Sequence, residues 1–225
     1  MILNLRLWSW WVMFRIKICG LTSREDALLA AEYGADAVGV VHVRQSKRFM
    51  GLEDAAQIFE AVSPNVARVI VAAPGNIEEA LMLAESRAGF IQLHGMESLD
   101  YVKALRDETT LGIIKKITVD EHCVDKALAY AHYADAILLD TSVNGVGGGT
   151  GVVHDWRLSR RVVEALDKPV VLAGGLNPSN LAMALNQVKP YAVDVSSGVE
   201  SRPGVKDENK IREYIRIAKE NGFTG

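Results

Sequence analysis

The sequence predicts a single (β/α)8 barrel, an α/β fold in which parallel strands alternate with helices around one core. Three observations predict it. Short β-branched runs alternate eight times with longer helical patterns from Arg15 onward, as expected for βαβ units. Several strands are almost continuously apolar, which is typical of parallel strands covered on both faces. The length of 225 residues suits one such barrel. A doubly wound sheet is the competing fold, but it usually has fewer repeats.

The first four units combine a short apolar run with a helical pattern. At the start of the first helix, Thr22 and Glu25 match the T-x-x-E capping box. At its end, Gly34 suits a C-terminal cap. The predicted strands and helices are 15–19 and 24–34, 36–43 and 52–62, 67–73 and 76–87, and 89–94 and 97–108.

The last four units follow the same pattern. Pro178 suits the first turn of the seventh helix. A glycine-rich loop at 144–151 precedes the sixth helix and lacks the lysine of a P-loop. Three interpretations of this loop stay open: closure over a substrate, donation of hydrogen bonds to a phosphate, and a plain flexible connection. The predicted strands and helices are 111–118 and 121–133, 135–140 and 155–166, 168–175 and 178–188, and 191–197 and 206–222.

The N-terminal segment differs from the rest of the chain. Residues 1–14 hold three of the four tryptophans, yet the run is too short to span a bilayer. The position of Arg6 and the lack of a small-residue cleavage site argue against a signal peptide. We expect residues 1–12 to be an extension outside the core and residues 13–225 to form the barrel. An interaction or membrane handle, or a cover for the barrel bottom, is the alternative.

Composition excludes several classes of function. The net charge of −3 gives no basic excess for nucleic acid, and no basic amphipathic stretch indicates a membrane surface. The two cysteines, Cys19 and Cys123, form no disulfide framework, so we expect a cytoplasmic protein. The five histidines show no metal-ligand spacing. We therefore expect no metal, no cofactor and a small-molecule partner; a homodimer is compatible with the sequence.

The residues at the strand ends are candidates for catalysis, because barrels build their active sites there. A thiolate at Cys19 is a competent base if its pKa is lowered; the alternative is a buried apolar thiol. Asp140 ends an apolar strand, where an unpaired carboxylate is costly to bury, so it has a partner or lies in the site mouth. Lys17 and Asp194 are expected either to line this site or to form an ion pair inside the barrel.

Two small-residue loops indicate a phosphorylated substrate, and one arginine is a candidate to bind a carboxylate. The loops with Gly174-Gly175 and Ser196-Ser197-Gly198 follow the last two strands, where barrels recurrently bind phosphate. Glycine lets backbone N–H groups approach the phosphate closely, and serine adds donors. Tight turns are the alternative reason for these glycines. Arg48, after the second strand, can bind a carboxylate in a bidentate way, or it is simply a solvated surface arginine.

Several motifs are spread from about residue 14 to the C-terminal end. They are KICG (17–20), SKR (46–48), QLHG (92–95), LLD (138–140), GGTG (148–151), LAGGLNPSN (172–180) and DVSSGVE (194–200). Together they resemble the phosphoribosylanthranilate isomerase family of tryptophan biosynthesis. The resemblance implies an eight-stranded barrel and an Amadori rearrangement of N-(5'-phosphoribosyl)anthranilate to 1-(o-carboxyphenylamino)-1-deoxyribulose 5-phosphate.

The resemblance also implies roles for individual residues. Cys19, in KICG, is the expected general base and Asp140, in LLD, the expected general acid. Arg48, in SKR, is expected to hold the anthranilate carboxylate, and His94 and Asp194 are further substrate-binding residues. The phosphate is expected on Gly174, Gly175, Ser196, Ser197 and Gly198.

Some positions depart from the family pattern. Val40 and His42 stand where aromatics are usual, and Arg44 stands where proline is frequent. Ala72-Ala73-Pro74-Gly75 and His154 are further departures. We expect these changes to surround the anthranilate pocket and to alter its shape and substrate range, while leaving the proton-transfer pair intact.

Other functions fit the sequence less well. An indole-glycerol-phosphate synthase would favour a catalytic lysine and glutamates at the strand ends, and a metal-dependent epimerase would need paired histidines and aspartates. A sugar isomerase acting on both histidine and tryptophan precursors would usually end its first strand in aspartate, where this chain has Cys19. A non-catalytic binding barrel would lose Cys19 or Asp140, and both are present.

Overall fold

The computed structural model describes residues 14–143, 146–147 and 154–223. Eight parallel strands form one closed barrel in sequential order, with the last strand pairing with the first. The predicted (β/α)8 fold is therefore confirmed. The barrel strands are β1 Ile16–Ile18, β2 Ala37–His42, β3 Ala67–Ala72, β4 Phe90–Leu93, β5 Gly112–Thr118, β6 Ala136–Asp140, β7 Val170–Leu172 and β8 Ala192–Val195.

A helix follows each strand, and a 3-10 turn at Leu83–Ser86 extends the third helix. The helices lie close to the predicted ranges because their apolar positions pack on the barrel. They are α1 Arg24–Tyr33, α2 Leu52–Ala61, α3 Ile77–Met82, α4 Leu99–Glu108, α5 Cys123–Ala131, α6 Trp156–Ala165, α7 Leu181–Val188 and α8 Glu208–Glu220.

Two predicted helix starts are wrong, and one predicted end is confirmed. Ser23 caps α1, since its side chain accepts from the Asp26 N–H, whereas Thr22 donates to the Gly204 carbonyl. The helix α7 begins after Asn180, so Pro178 lies in the preceding turn. Gly34 ends α1 with φ of 99°, as predicted for a left-handed cap.

Strand alternation divides the core into two layers. Inward-facing side chains fill the barrel and are often small, such as Ala37, Ala136 and Ala192. Outward-facing side chains such as Ile16, Ile70 and Leu139 pack against the helices in a larger cluster. Since residues i and i+2 share a face, the residues that end each strand point either into the barrel mouth or toward the helices.

Two short antiparallel ribbons extend the loops at the carboxyl ends of the strands. One pairs Ser142–Val143 with Val146–Gly147, and the other pairs Glu200–Arg202 with Val205–Lys206. The predicted extension at 1–12 and most of the glycine-rich loop lie outside the described residues. No helix in the described part of the chain is long and apolar enough to cross a membrane.

Candidate active site

Four strands bring chemically active side chains into one barrel mouth. Cys19 follows β1, His94 follows β4, Asp140 ends β6 and Asp194 lies in β8. All four share the inward register of their strands. The structure therefore brings together the thiol and the carboxylate that the sequence analysis singled out, with Asp194 and His94 beside them.

The Cys19 thiol lies next to a buried ion pair. The Lys17 Nζ donates to Asp194 Oδ1 at 2.7 Å, and the two residues face each other across β1 and β8, so this expected ion pair is present. Gly39 leaves room for the thiol, because a Cβ there would lie 2.8 Å from the Cys19 Sγ. Burial raises the pKa of Cys19, and the Lys17 ammonium opposes that rise. The lowered thiol pKa expected for a base is thus not found; the pKa of Cys19 is raised.

Asp140 is almost completely buried. Its residue is 7% exposed, and its Oδ1 accepts from the Thr141 N–H at 2.7 Å. Burial raises the pKa of Asp140 to about 6, although the Thr141 N–H favours the ionised form. The negative charge of Asp194 adds to the rise. A carboxyl group with this pKa carries a proton in a useful fraction of molecules near neutral pH, as a general acid requires.

His94 is the neutral neighbour of this acid. Its Nε2 lies 3.6 Å from Asp140 Oδ2, and its Nδ1 lies 3.1 Å from the Gln92 Nε2. Burial lowers the pKa of His94 to about 3, with nearby lysines adding to the effect. The imidazole is therefore uncharged at neutral pH. Its contact with Asp140 is not an ion pair, and the ring is available as a neutral hydrogen-bonding group.

Arg48 is fixed over the mouth by a network that the sequence analysis missed. Its Nε and Nη2 donate to the two Glu200 oxygens at 2.7 and 2.6 Å. Lys206 donates to the same carboxylate at 3.0 Å. A Cβ on Gly20 would lie 2.6 Å from the Arg48 Cδ, so this glycine lets the arginine cross the end of β1. Because Glu200 uses the Nε–Nη2 edge of the guanidinium, the Nη1–Nη2 edge is the one that could bind a further acceptor.

The two predicted phosphate loops lie against each other. Gly174 and Gly175 have φ of 79° and 70°, which favour glycine. A Cβ on Gly198 would lie 1.9 Å from the Leu176 carbonyl oxygen, so the loop after β8 touches the loop after β7. Asn180 donates to the Gly175 carbonyl at 3.0 Å and helps to fix the turn. The sequence-predicted glycines and serines thus form one small-residue surface at the mouth.

The departures from the family pattern in β2 and β3 lie on the outward faces of those strands. Val40 and Ala72 face the helix layer, and the His42 Nδ1–H donates to the Met50 carbonyl oxygen, 2.8 Å away. These positions belong to the outward register of β2 and β3, so they do not line the barrel mouth. The expectation that the departures surround the anthranilate pocket stays a prediction for the loop positions after β2 and β3. A cavity of about 450 Å³ at the ends of β2 and β3 is lined by His42, Arg44, Ala72, Ala73 and Pro74 among others.

His154, a further departure, contacts Thr141 beside Asp140 at the mouth. Its Nδ1 lies 3.1 Å from the Thr141 Oγ1, and its Nε2 lies 2.6 Å from the Ser159 Oγ. Burial lowers the pKa of His154 to about 4, so the ring is neutral. It ties α6 to the residue that hydrogen-bonds Asp140. This link joins residues 13 positions apart and has no local sequence signal.

Other missed residues are long-range partners of predicted ones. Glu200 pairs with Arg48 across 152 positions, and strand periodicity carries no information about such a pair. The motif DVSSGVE contained Glu200 but gave it no role. Among the described ranges, no group of three His, Cys, Asp or Glu side chains is arranged to hold a metal ion.

Comparison with known proteins assigns this barrel to a protein family. The family model of N-(5'-phosphoribosyl)anthranilate isomerase matches residues 16–217. This chain belongs to that isomerase family. A relative of that name from Methanopyrus kandleri is 46% identical over 219 residues, which covers 92% of this chain and 99% of the relative. The family resemblance and the enzyme class expected from the motifs are confirmed.

Solved structures of the isomerase family share the fold. The isomerase from Thermotoga maritima has a TM-score of 0.84 and 40% identity, covering 92% of this chain and all of that one. A complex of an isomerase of this family with reduced 1-(o-carboxyphenylamino)-1-deoxyribulose 5-phosphate has a TM-score of 0.81 and 39% identity, with the same coverage. The barrel and its parallel order therefore recur in isomerases of known structure.

Proposed function

We propose that this chain catalyses the Amadori rearrangement of N-(5'-phosphoribosyl)anthranilate in tryptophan biosynthesis, with Asp140 as general acid and Cys19 as general base. The observation that carries the assignment is the shared mouth: the protonatable carboxylate of Asp140 ends β6, and the thiol of Cys19 follows β1. The negative charge of Asp194 raises the pKa of both groups. Acid and base with separated pKa values are what such a proton transfer needs.

The first step uses the proton of Asp140. The carboxyl group donates it to the furanose ring oxygen, and the bond between C1 and that oxygen breaks. The nitrogen lone pair forms the C1=N double bond, which leaves a positively charged Schiff base. The raised pKa of about 6 supports this step, because a fraction of Asp140 is protonated at neutral pH while the group still releases its proton readily.

The second step uses Cys19. The thiolate removes the proton from C2, and the electrons of that C–H bond neutralise the Schiff base nitrogen. The resulting enolamine tautomerises to the aminoketone, so substrate and product have the same atoms. Burial raises the pKa of Cys19. The positive charge of the nearby Schiff base lowers that pKa again and favours the thiolate at the step that uses it. Before the substrate binds, the raised pKa keeps most of Cys19 in the protonated thiol form.

The remaining site residues bind the substrate. Arg48, already oriented by Glu200, holds the anthranilate carboxylate through its Nη1–Nη2 edge. The Asp194 carboxylate accepts hydrogen bonds from sugar hydroxyls beside the reacting carbons. The neutral His94 ring accepts or donates a hydrogen bond there. Both cysteines are free thiols, which agrees with an enzyme of the cytoplasm. The phosphate lies on the small-residue surface formed by Gly174, Gly175, Ser196, Ser197 and Gly198.

The direct test is turnover of freshly generated phosphoribosylanthranilate, followed by loss of its fluorescence and by chromatography of the product. We expect a product of unchanged mass that carries a ketone. The matched substrate made from aniline, which lacks the carboxylate, should show a higher KM with the same chemistry. An enzyme that leaves both compounds unchanged would contradict the proposed function.

A further inference from the structure

A buried lysine below the thiol has no role in the proton transfers described above. Lys17 is 0% exposed and lies two residues before Cys19 on the same inward face of β1. Much of the barrel interior around it is small and apolar, as at Ala37 and Ala192. Replacing a buried ion pair with apolar side chains is often neutral or stabilising, so packing alone does not explain Lys17.

The position of Lys17 connects it to the thiol. A Cβ on Gly39 would lie 2.8 Å from the Cys19 Sγ and 3.0 Å from the Lys17 Cε. The thiol and the end of the lysine chain therefore flank the same small space left by this glycine. The Nζ atom, one bond further, donates to Asp194 Oδ1 at 2.7 Å. Thiol, ammonium and carboxylate thus form one buried cluster.

We propose that Lys17 is a positioning residue that stabilises the Cys19 thiolate, and that Asp194 limits this stabilisation by pairing with the ammonium. The inference rests on the proposed function only in naming Cys19 as the base. Lys17 acts through Cys19 and does not touch the substrate. An ammonium held by a carboxylate favours the thiolate during the proton transfer and leaves the thiol protonated at rest.

The electrostatics of the cluster support opposite effects for the two partners. Burial raises the pKa of Cys19, the Lys17 charge lowers it and the Asp194 charge raises it. Burial alone would lower the pKa of Lys17, but the charges of Asp194 and Cys19 and the hydrogen bonds to both together outweigh burial and raise it, so the ammonium stays charged. The other cations that face the thiol are Lys206 and Arg48, and each is paired with Glu200.

The test measures the thiol without any substrate. The protein has two cysteines, and mass spectrometry distinguishes alkylation of Cys19 by iodoacetamide from that of Cys123. The rate at Cys19 follows its thiolate fraction, so it is measured against pH for the wild type, Lys17→Met, Asp194→Asn and the double variant. Cys123, which is buried in α5, reports any general loosening of the fold.

The proposal predicts opposite shifts. Lys17→Met should slow alkylation of Cys19 about tenfold or more at a fixed pH near 8, because a change of one pKa unit changes the thiolate fraction tenfold. Asp194→Asn should accelerate it, and the double variant should fall between the two. Lys115→Met is the matched control, since Lys115 is 2% exposed and paired with Glu97 outside the mouth; it should leave the Cys19 rate unchanged.

Each other outcome overturns the inference. A merely structural lysine would leave the Cys19 rate within about twofold of the wild type, or would shift it in the same direction in Lys17→Met and Asp194→Asn. If Lys17→Met exposes Cys123, the comparison moves to the Asp194→Asn background, where adding Lys17→Met must slow Cys19. A protein that shows these shifts but does not turn over phosphoribosylanthranilate would refute the proposed function and retain the role of Lys17.

Discussion

At the scale of single residues, burial sets the chemistry of the mouth. It raises the pKa of Asp140 to about 6 and also raises the pKa of Cys19. In the proposed mechanism Asp140 must be protonated and Cys19 ionised, so the active form is a minor one at every pH. The population of the active form rises as pH increases toward the pKa of Asp140. Between that pKa and the pKa of Cys19 it stays level, because each gain in thiolate is offset by an equal loss of protonated Asp140.

The pH profile of the wild type follows from these two groups. We expect kcat/KM to fall about tenfold per pH unit below about 6 and to be flat between that value and the pKa of Cys19, with a decline above it. The flanks are macroscopic values of the pair. Substrate binding to the inactive Cys19→Ser variant across the same pH range corrects for ionisation of the phosphate. A profile that rises steadily through pH 7 and 8 would contradict this assignment of acid and base.

The cost of burying Asp140 predicts a stability effect. Its pKa is higher in the folded protein than the usual 3.8, so ionisation opposes folding. The penalty is absent below about 3.8, grows through the interval and is complete above about 6. Asp140→Asn should therefore raise the free energy of unfolding near pH 7.5 by up to about 3 kcal/mol and by little near pH 4. Urea unfolding at both pH values measures this.

The exposed carboxylate Asp155 is the control for that measurement. Hydrogen bonds from Arg157 lower the pKa of Asp155 to about 2, so its ionised form favours folding. Asp155→Asn should not raise the stability near pH 7.5. Equal gains from both variants would mean that a general effect of charge, not burial, explains the Asp140 result.

Residue roles could be predicted from the sequence where a strand ends. Cys19 and Asp140 were found because an apolar run stops at each of them, and barrels place such residues in the mouth. The contacts of Glu200 with Arg48 and of His154 with Thr141 could not be predicted, because only the closed barrel brings these residues together. Val40 lies in the outward cluster, whereas Ala37, three residues earlier, lies in the inward one, as strand alternation requires.

At the scale of elements, contact between the loops after β7 and β8 forms the proposed phosphate surface. Gly198→Ala places a Cβ against the Leu176 carbonyl, 1.9 Å away, and backbone cannot shift cheaply. We expect KM to rise at least about tenfold through loss of phosphate hydrogen bonds, with about 2 kcal/mol lost in stability. Steady-state kinetics and thermal unfolding measure the two effects.

Gly51→Ala is the matched control for this change. Gly51 precedes α2 with φ of −66°, and a Cβ there meets nothing closer than the Asp54 side chain at 3.4 Å. Its KM should equal that of the wild type. If Gly198→Ala also keeps the wild-type KM, the loops do not carry the phosphate.

Element types were easier to predict than element ends. The strands were predicted because apolar runs such as AILLD in β6 are buried throughout. Helix ends depend on a few hydrogen bonds, and Ser23 and Thr22 compete locally for the cap of α1. The sequence favoured the residue with a matching glutamate, whereas in the structure Thr22 bonds to Gly204, 182 positions away.

At the scale of the whole molecule, the described barrel closes from Phe14 onward. Phe14 is 3% exposed and packs edge to face on Phe90, with ring centroids 6.2 Å apart. Arg15 lies over the rings of Tyr191 and Phe223. Because these contacts seal the amino-terminal end of the barrel, we propose that residues 1–12 are an extension outside the core, as the sequence analysis expects.

Deletion of residues 1–12 tests that proposal. We expect Tm and kcat to stay at the wild-type values, since the deletion leaves Phe14 and Arg15 in place. Deletion of residues 1–15 removes both and should lower Tm by several degrees. A loss of activity or solubility with the shorter deletion would favour the alternative of an interaction handle.

The central claim, acid–base isomerisation by Asp140 and Cys19, is tested most directly by turnover of phosphoribosylanthranilate with the wild type, Cys19→Ser and Asp140→Asn side by side. The account predicts an active wild type, and a loss of about a hundredfold to ten-thousandfold in kcat for each variant with substrate affinity within about threefold of the wild type. Either variant keeping near wild-type kcat would contradict the claim.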